Sequence, residues 1–139
     1  MKKIKIILMV AVIGLFCGVT NVLADEYVCT STVIQRSFDN VVVPSGASCR
    51  LVSSAVKGNI VVQANGSLET SRTRVNGSIQ SEGYDSITIG NKSRIIGSVQ
   101  LKYGNTAYIT RSTINGDVQF EENSGTSTAE LNSIGGSLQ

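Results

Sequence analysis

The sequence predicts an all-β, single-stranded, right-handed parallel β-helix with coils of about 20 residues, on three observations. A short phrase returns five times: Val56-Lys57-Gly58-Asn59-Ile60, Val75-Asn76-Gly77-Ser78-Ile79, Ile95-Ile96-Gly97-Ser98-Val99, Ile114-Asn115-Gly116-Asp117-Val118 and Ile134-Gly135-Gly136-Ser137-Leu138. Its glycines, Gly58, Gly77, Gly97, Gly116 and Gly136, advance in alternating steps of 19 and 20, the kind of fixed period that stacked coils impose. Between the phrases apolar residues alternate, as in Ile60 and Val62, Ile79 and Ser81, Val99 and Leu101, or Val118 and Phe120. A period of two is a strand, one side chain in and the next out. One such unit cannot bury its own apolar face, so neighbours must stack to close a core. The right hand follows from the preference of strand crossovers and from the lack of a hexapeptide beat.

Taken in order, the chain opens with Met1, Lys2, Lys3 and Lys5, runs apolar from Ile6 to Val19, and reaches Val22-Leu23-Ala24 before Asp25. That succession of basic, apolar and small-residue regions is a secretory signal peptide over 1–24. The apolar run is shorter than the roughly 20 residues of a membrane span, and nothing after it resembles a second. The processed protein is therefore expected to be secreted, to the periplasm or beyond, with no membrane span. Cys17 follows Phe16, where a lipoprotein signal needs a small residue, and leaves with the signal. Removing 1–24 takes three of the twelve basic residues and none of the ten acidic ones, so the net charge becomes 9 − 10 = −1. What remains, 25–139, makes one domain with a narrow core, and the absence of histidine removes the commonest general base and metal ligand.

Residues 25–40 lack the phrase and carry Cys29, which reads as an N-terminal cap and partial coil shielding the first open edge. Residues 41–139 hold about five coils. Sliding the chain by one period puts Val41 on Ile60, Val43 on Val62, Cys49 on Leu68 and Val56 on Val75, with Asp39 where Gly58 stands. A second strand in each coil supplies Leu68 and Thr70, Ile87 and Ile89, Ala107 and Ile109, then Thr126 and Thr128. Turns such as Ala64-Asn65-Gly66-Ser67, Gly90-Asn91-Lys92-Ser93 and Asn123-Ser124-Gly125 have the composition of tight corners. The repeated glycines are expected at corners with positive φ. Cys49 follows Cys29 by one coil, so a disulfide between stacked neighbours is expected, and export allows its oxidation.

The phrase apolar-x-Gly-(Ser/Asn/Asp)-(Ile/Val), followed in later coils by Gln80, Gln100, Gln119 and Gln139, resembles secreted bacterial right-handed parallel β-helix proteins of largely unassigned function. Its glycine pattern is similar, more weakly, to that of the bactofilins, which are cytoplasmic polymer-forming β-helices. The resemblance spans roughly 39–139 and implies the fold and a tendency to self-associate end to end. It implies no catalytic residue.

Because equivalent side chains face each other one coil apart, candidate sites are columns. Gln63, Glu82, Lys102 and Glu121 alternate in sign and read as mutual support. Gln80, Gln100, Gln119 and Gln139 can hydrogen-bond amide to amide as a polar ladder, or present a strip to sugar hydroxyls. Three residues before the repeated apolar position stand Arg72, Lys92 and Arg111, and one before it Arg74 and Arg94. Five of the nine basic residues after the signal thus fall along one corner. Like charges at strand spacing repel, and nothing in the fold asks for them, so this ridge is the strongest functional signal. It suits an anionic polymer such as lipopolysaccharide or an acidic polysaccharide, the alternative being a solvated face. No nucleic acid is expected among the partners.

An enzyme is not expected. Polysaccharide lyases and hydrolases on this fold use clustered carboxylates, or carboxylates holding calcium beside a basic residue. Here Glu69, Asp85, Asp117 and Glu130 share no column, and no phosphate loop or nucleophile motif is present. No cofactor or metal is therefore expected. Thr126 and Thr128 form a single Thr-x-Thr rung, too little for an ice-binding ladder. The leading expectation is an exported, non-enzymatic structural or surface protein. A carbohydrate or anionic-polymer module comes second, and a degenerate polysaccharide lyase is a distant third.

Overall fold

The structure, a computed structural model, describes residues 25–139. The signal-peptide reading of 1–24, Cys17 included, lies outside the described residues. The first coil holds β1 (Glu26–Val28), β2 (Thr32–Ile34) and β3 (Ser37–Phe38); the second β4 (Asn40–Val43), β5 (Ser48–Val52) and β6 (Ala55–Val56). The third holds β7 (Ile60–Val62), β8 (Ser67–Ser71) and β9 (Arg74–Val75); the fourth β10 (Ile79–Glu82), β11 (Ser86–Gly90) and β12 (Arg94–Ile95). Then come β13 (Val99–Lys102), β14 (Thr106–Thr110) and β15 (Thr113–Ile114), and last β16 (Val118–Glu121), β17 (Ser127–Glu130) and β18 (Ser133–Ile134). Every third strand pairs in parallel, giving sheet A from β1 to β16, sheet B from β2 to β17 and sheet C from β3 to β18. The described chain is an all-β solenoid in which each strand pairs with its counterpart one period on, as Val41↔Ile60 and Ile79↔Val99 do.

Each coil has three strands where the sequence suggested two. The third is the apolar residue that opens the repeated phrase: Val56, Val75, Ile95 and Ile114 stack in sheet C and are buried. A strand of two residues is too short for its alternation to show in the sequence. The segment expected as a cap and partial coil also goes further, contributing one strand to each sheet. Glu26 pairs with Asn40 but Thr32 with Arg50, so the second coil spends more chain than the first in turning from sheet A to sheet B. The first A–B corner is cut short.

The disulfide closes that corner. Cys29 and Cys49 are bonded and buried, with Cα atoms 5.4 Å apart. The expected pairing holds, but not as register neighbours: Arg50 pairs with Thr32, which sets Ser31 opposite Cys49, while β1 runs on with Cys29 opposite Val43.

The last coil corrects another expectation. Ala107 and Ile109 pair with Ser127 and Ala129, so these small residues point inward and Thr126 and Thr128 do not. The extra residue of this coil lies in the turn after Glu121, because the offset is one position longer at Ala107↔Ser127 than at Lys102↔Glu121.

The repeated glycines do not have positive φ; among the described glycines only Gly46 and Gly83 do. Their reason is close approach. At the C–A corner the Gly77, Gly97, Gly116 and Gly136 N–H groups donate to the carbonyls of Gly58, Gly77, Gly97 and Gly116 at 2.8–3.0 Å. A Cβ on Gly97 would lie 2.6 Å from the Gly77 oxygen and overlap Ser78 Oγ. The polar residue after each glycine completes the clamp. Asn40 Oδ1 accepts from Asn59 N (2.9 Å), Asn59 Oδ1 from Ser78 N (2.8 Å), Ser78 Oγ from Ser98 N (3.0 Å), Ser98 Oγ from Asp117 N (3.0 Å) and Asp117 Oδ1 from Ser137 N (2.7 Å). Glycine and its polar successor are thus one device: the missing Cβ leaves the space that the previous coil's side-chain oxygen fills.

Tyr84 fills the core at the A–B corner, its ring against Gly104 of the next coil, where a Cβ would overlap it. Its hydroxyl is buried without a hydrogen-bond partner. Burial pushes the phenol above its ordinary 10.0, opposed by the nearby Ser127 side chain. A folded-state pKa raised above the unfolded value means that stability is held below pH 10.0 and lost as pH rises through the folded value. Tyr84→Phe removes the orphan hydroxyl and the titration together. It should therefore be neutral or stabilising at neutral pH, by up to about 1 kcal/mol, and should flatten the alkaline limb. Urea unfolding of both proteins from neutral to strongly alkaline pH tests this, and parallel alkaline limbs would contradict it.

Candidate anionic-polymer ridge

At the B–C corner the second and later coils repeat an out-in-out step, while in the first coil Arg36 takes the middle position and is exposed. The outward corner residue is left-handed in every coil: Gln35, Ser53, Arg72, Asn91 with Lys92, Arg111 and Leu131 have φ between 47° and 68°. The next residue points inward, and Ser54, Thr73, Ser93 and Ser112 form a buried hydroxyl column. These hydroxyls donate to the carbonyls of Val52, Ser71, Gly90 and Thr110 at 2.9–3.1 Å. Thr73 N in turn donates to Ser93 Oγ at 3.3 Å, and Ser112 N to Asn132 Oδ1 at 3.0 Å. Reasoning from the sequence missed this column, although a hydroxyl directly after Arg72, Lys92 and Arg111 marks it. The residue that follows opens sheet C and points outward again. Arg72-Thr73-Arg74 and Lys92-Ser93-Arg94 thereby present two cations each, and Arg111-Ser112-Thr113 one.

All five cations are exposed and lie on adjoining coils. Arg74 and Arg94 are register partners. The column of Arg72, Lys92 and Arg111 is less regular than its spacing suggests. Ser71↔Gly90 places Asn91 opposite Arg72, whereas Arg74↔Arg94 places Lys92 there, so the extra residue of this longer coil lodges at the ridge. The backbone divides the two: Arg72 N donates to Asn91 O (3.1 Å) and Lys92 N to Arg111 O (2.8 Å).

What distinguishes the ridge is its electrostatics. The four basic residues elsewhere among the described residues each have a partner: Arg50 pairs with Glu69, Lys57 with Asp39 at 3.6 Å and Lys102 with Glu121 at 2.8 Å. Arg36 lies 5.9 Å from the Tyr27 ring centroid and 5.4 Å from that of Phe38, within cation–π range. Among the described residues none of the five ridge cations forms an ion pair, and neither sheet C nor the B–C corner carries an acidic residue. Two guanidiniums are steadied by neutral acceptors, Arg72 Nε by Ser53 Oγ at 3.3 Å and Arg74 Nε by Asn76 Oδ1 at 2.9 Å. The left-handed corner favours Gly or Asn, and another residue there costs on the order of 1–3 kcal/mol. The fold does not ask for arginine or lysine at this place.

The other columns are occupied with themselves. On sheet A, Gln80 Nε2 donates to Gln100 Oε1 (2.8 Å) and Gln100 Nε2 to Gln119 Oε1 (2.9 Å). Gln139 sits beside Gln119 through backbone bonds to Val118 and Phe120, both 2.9 Å. Glu82, Lys102 and Glu121 are stacked in register, and Glu121 holds the Lys102 amine above its ordinary value by hydrogen bond and charge. A shallow groove beside them is lined by Val61, Gln80, Glu82, Gln100 and Lys102, mixed in character and with no orphan polar group. Comparison of the chain with family models, curated proteins and solved structures gives no match.

Proposed function

We propose that this protein is an exported, non-enzymatic β-solenoid that binds an anionic polymer through Arg72, Arg74, Lys92, Arg94 and Arg111, in a structural or cell-surface role. The observation that carries the reading is the segregation of cations: among the described residues every basic residue off the ridge is partnered, and none on it is paired with an acid. Export is supported by the order of residues in 1–24 and by the buried disulfide, which suits an oxidising compartment. Lipopolysaccharide and acidic polysaccharides are the candidate ligands, since both would offer rows of anions to rows of cations.

The test is a triple change, Arg72→Gln, Lys92→Gln and Arg111→Gln, which keeps long polar side chains while removing three stacked charges. Stability should hold or rise by a few tenths of a kcal/mol as repulsion falls. Retention on an immobilised anionic polymer should drop, and wild-type retention should weaken as salt is raised and screening shortens. If the wild-type protein shows no salt-sensitive retention on lipopolysaccharide or any acidic glycan, the ridge is a solvated face and the solenoid a scaffold alone.

A further inference from the structure

We infer that the ligand of the ridge is a linear acidic polysaccharide with a carboxylate on every sugar, lying along the solenoid axis with one sugar per coil. This rests on the reading of the ridge as a polyanion site and narrows it to a chemical class. The array is longest along the axis. Across one coil it is two side chains wide, Arg72 with Arg74 or Lys92 with Arg94, and buried residues follow at once at Val75 and Ile95. Along the axis it runs over three coils: Arg74 and Arg94 recur at the strand spacing of about 4.8 Å, and Arg72, Lys92 and Arg111 follow on the same coils with Asn91 inserted between the first two. A pyranose in an extended chain advances by a length close to that spacing. Polymer charges borne on each sugar would then stay in step with the rungs, whereas charges on alternate sugars would leave every second rung unanswered. Nucleic acid is out of step, since phosphates of a duplex strand rise by about 3.4 Å each.

The chemistry of the donors points the same way. With Nε of Arg72 and of Arg74 held by Ser53 and Asn76, both terminal amino groups of each guanidinium are left to meet a ligand. A planar fork of that kind matches the two oxygens of a carboxylate. Thr113, the register partner of Arg94, adds a neutral hydroxyl beside the last cation, as a sugar's hydroxyl groups require.

The experiment uses the protein with oligogalacturonides of two to six sugars, read by calorimetry at fixed salt. Comparators are hyaluronan oligomers, charged on alternate sugars, and linear polyphosphate, each at equal total charge. Affinity should climb up to the trimer and then level off. The comparators should bind about tenfold more weakly, the scale of one charge-assisted hydrogen bond. Arg72→Lys, Arg74→Lys, Arg94→Lys and Arg111→Lys together keep the charge and remove every fork of the ridge, so they should erase the preference for uronate while retaining salt-sensitive binding; Arg50→Gln, off the ridge, should leave both intact. Melting curves confirm that each variant is folded. Equal binding of all polyanions, or affinity that rises evenly with length, would overturn the uronate assignment and leave a general polyanion site. Failure of every polyanion to bind would instead remove the ridge reading itself.

Discussion

Gly97→Val is expected to destabilise the protein by about 3 kcal/mol or more, since overpacking adds to the loss of two or more corner hydrogen bonds. A side chain there meets the Gly77 oxygen and Ser78 Oγ of the previous coil, and each can retreat only by giving up a hydrogen bond. The Gly77 oxygen accepts the Gly97 N–H at 2.9 Å, and Ser78 Oγ accepts Ser98 N–H at 3.0 Å. The cause is steric rather than conformational, because this glycine lacks a positive φ. Alanine should therefore already suffer most of the loss. Gly83→Ala gives the contrast: there φ is +79° and the nearest atom to an added Cβ is 3.4 Å away, so the penalty is the ordinary one of about 1 kcal/mol for a left-handed residue with a side chain. Ser98→Ala, one residue later, removes only the acceptor for Asp117 N and should also cost about 1 kcal/mol. Chemical unfolding of the four variants ranks them, and a Gly97→Ala no worse than Gly83→Ala would refute the close-approach account.

The same glycine shows what the sequence makes legible. Its near-constant step is a one-dimensional signal, so coil length, the parallel stack and the inner columns of sheets A and B follow directly from spacing. Spacing says nothing of why the glycine is there. Positive φ and a missing Cβ leave the same letter, and only the position of Ser78 Oγ separates them. Sheet C escaped for a related reason, since two-residue strands such as Arg74–Val75 carry no alternation to detect. Irregular offsets were the other blind spot. The extra residues at Asn91–Lys92 and after Glu121 are invisible to a fixed period, yet they decide that Asn91 shares the corner with Lys92 and that Ser127 faces inward. The five ridge cations could be named from the sequence. That none of them forms an ion pair among the described residues could not, because partners such as Glu69 for Arg50 are set by register between coils.

Removing the disulfide with Cys29→Ala and Cys49→Ala should cost about 3 kcal/mol in the chain-entropy model for a loop of this size. Where that loss falls is the sharper expectation. In a solenoid each coil touches only its neighbours, so a bond between the first and second coils acts on the end of the stack. The first coil is the weakest part of the N-terminal end: its A–B corner is cut short, Val28 and Ile34 are exposed, and apart from its strand pairing and the disulfide it is held by Val33 and Phe38 in the core and by the Tyr27–Phe38 stack at 4.3 Å with Arg36 over both rings. Hydrogen exchange on the double variant should show residues 26–38 losing protection while β7 to β15 keep theirs. The ridge begins at Arg72, on the third coil, so salt-sensitive retention on an anionic polymer should survive the same change. A uniform fall in protection over all coils would mean that the bond stabilises the solenoid as one cooperative unit, and the ridge would then depend on a cross-link outside its own coils.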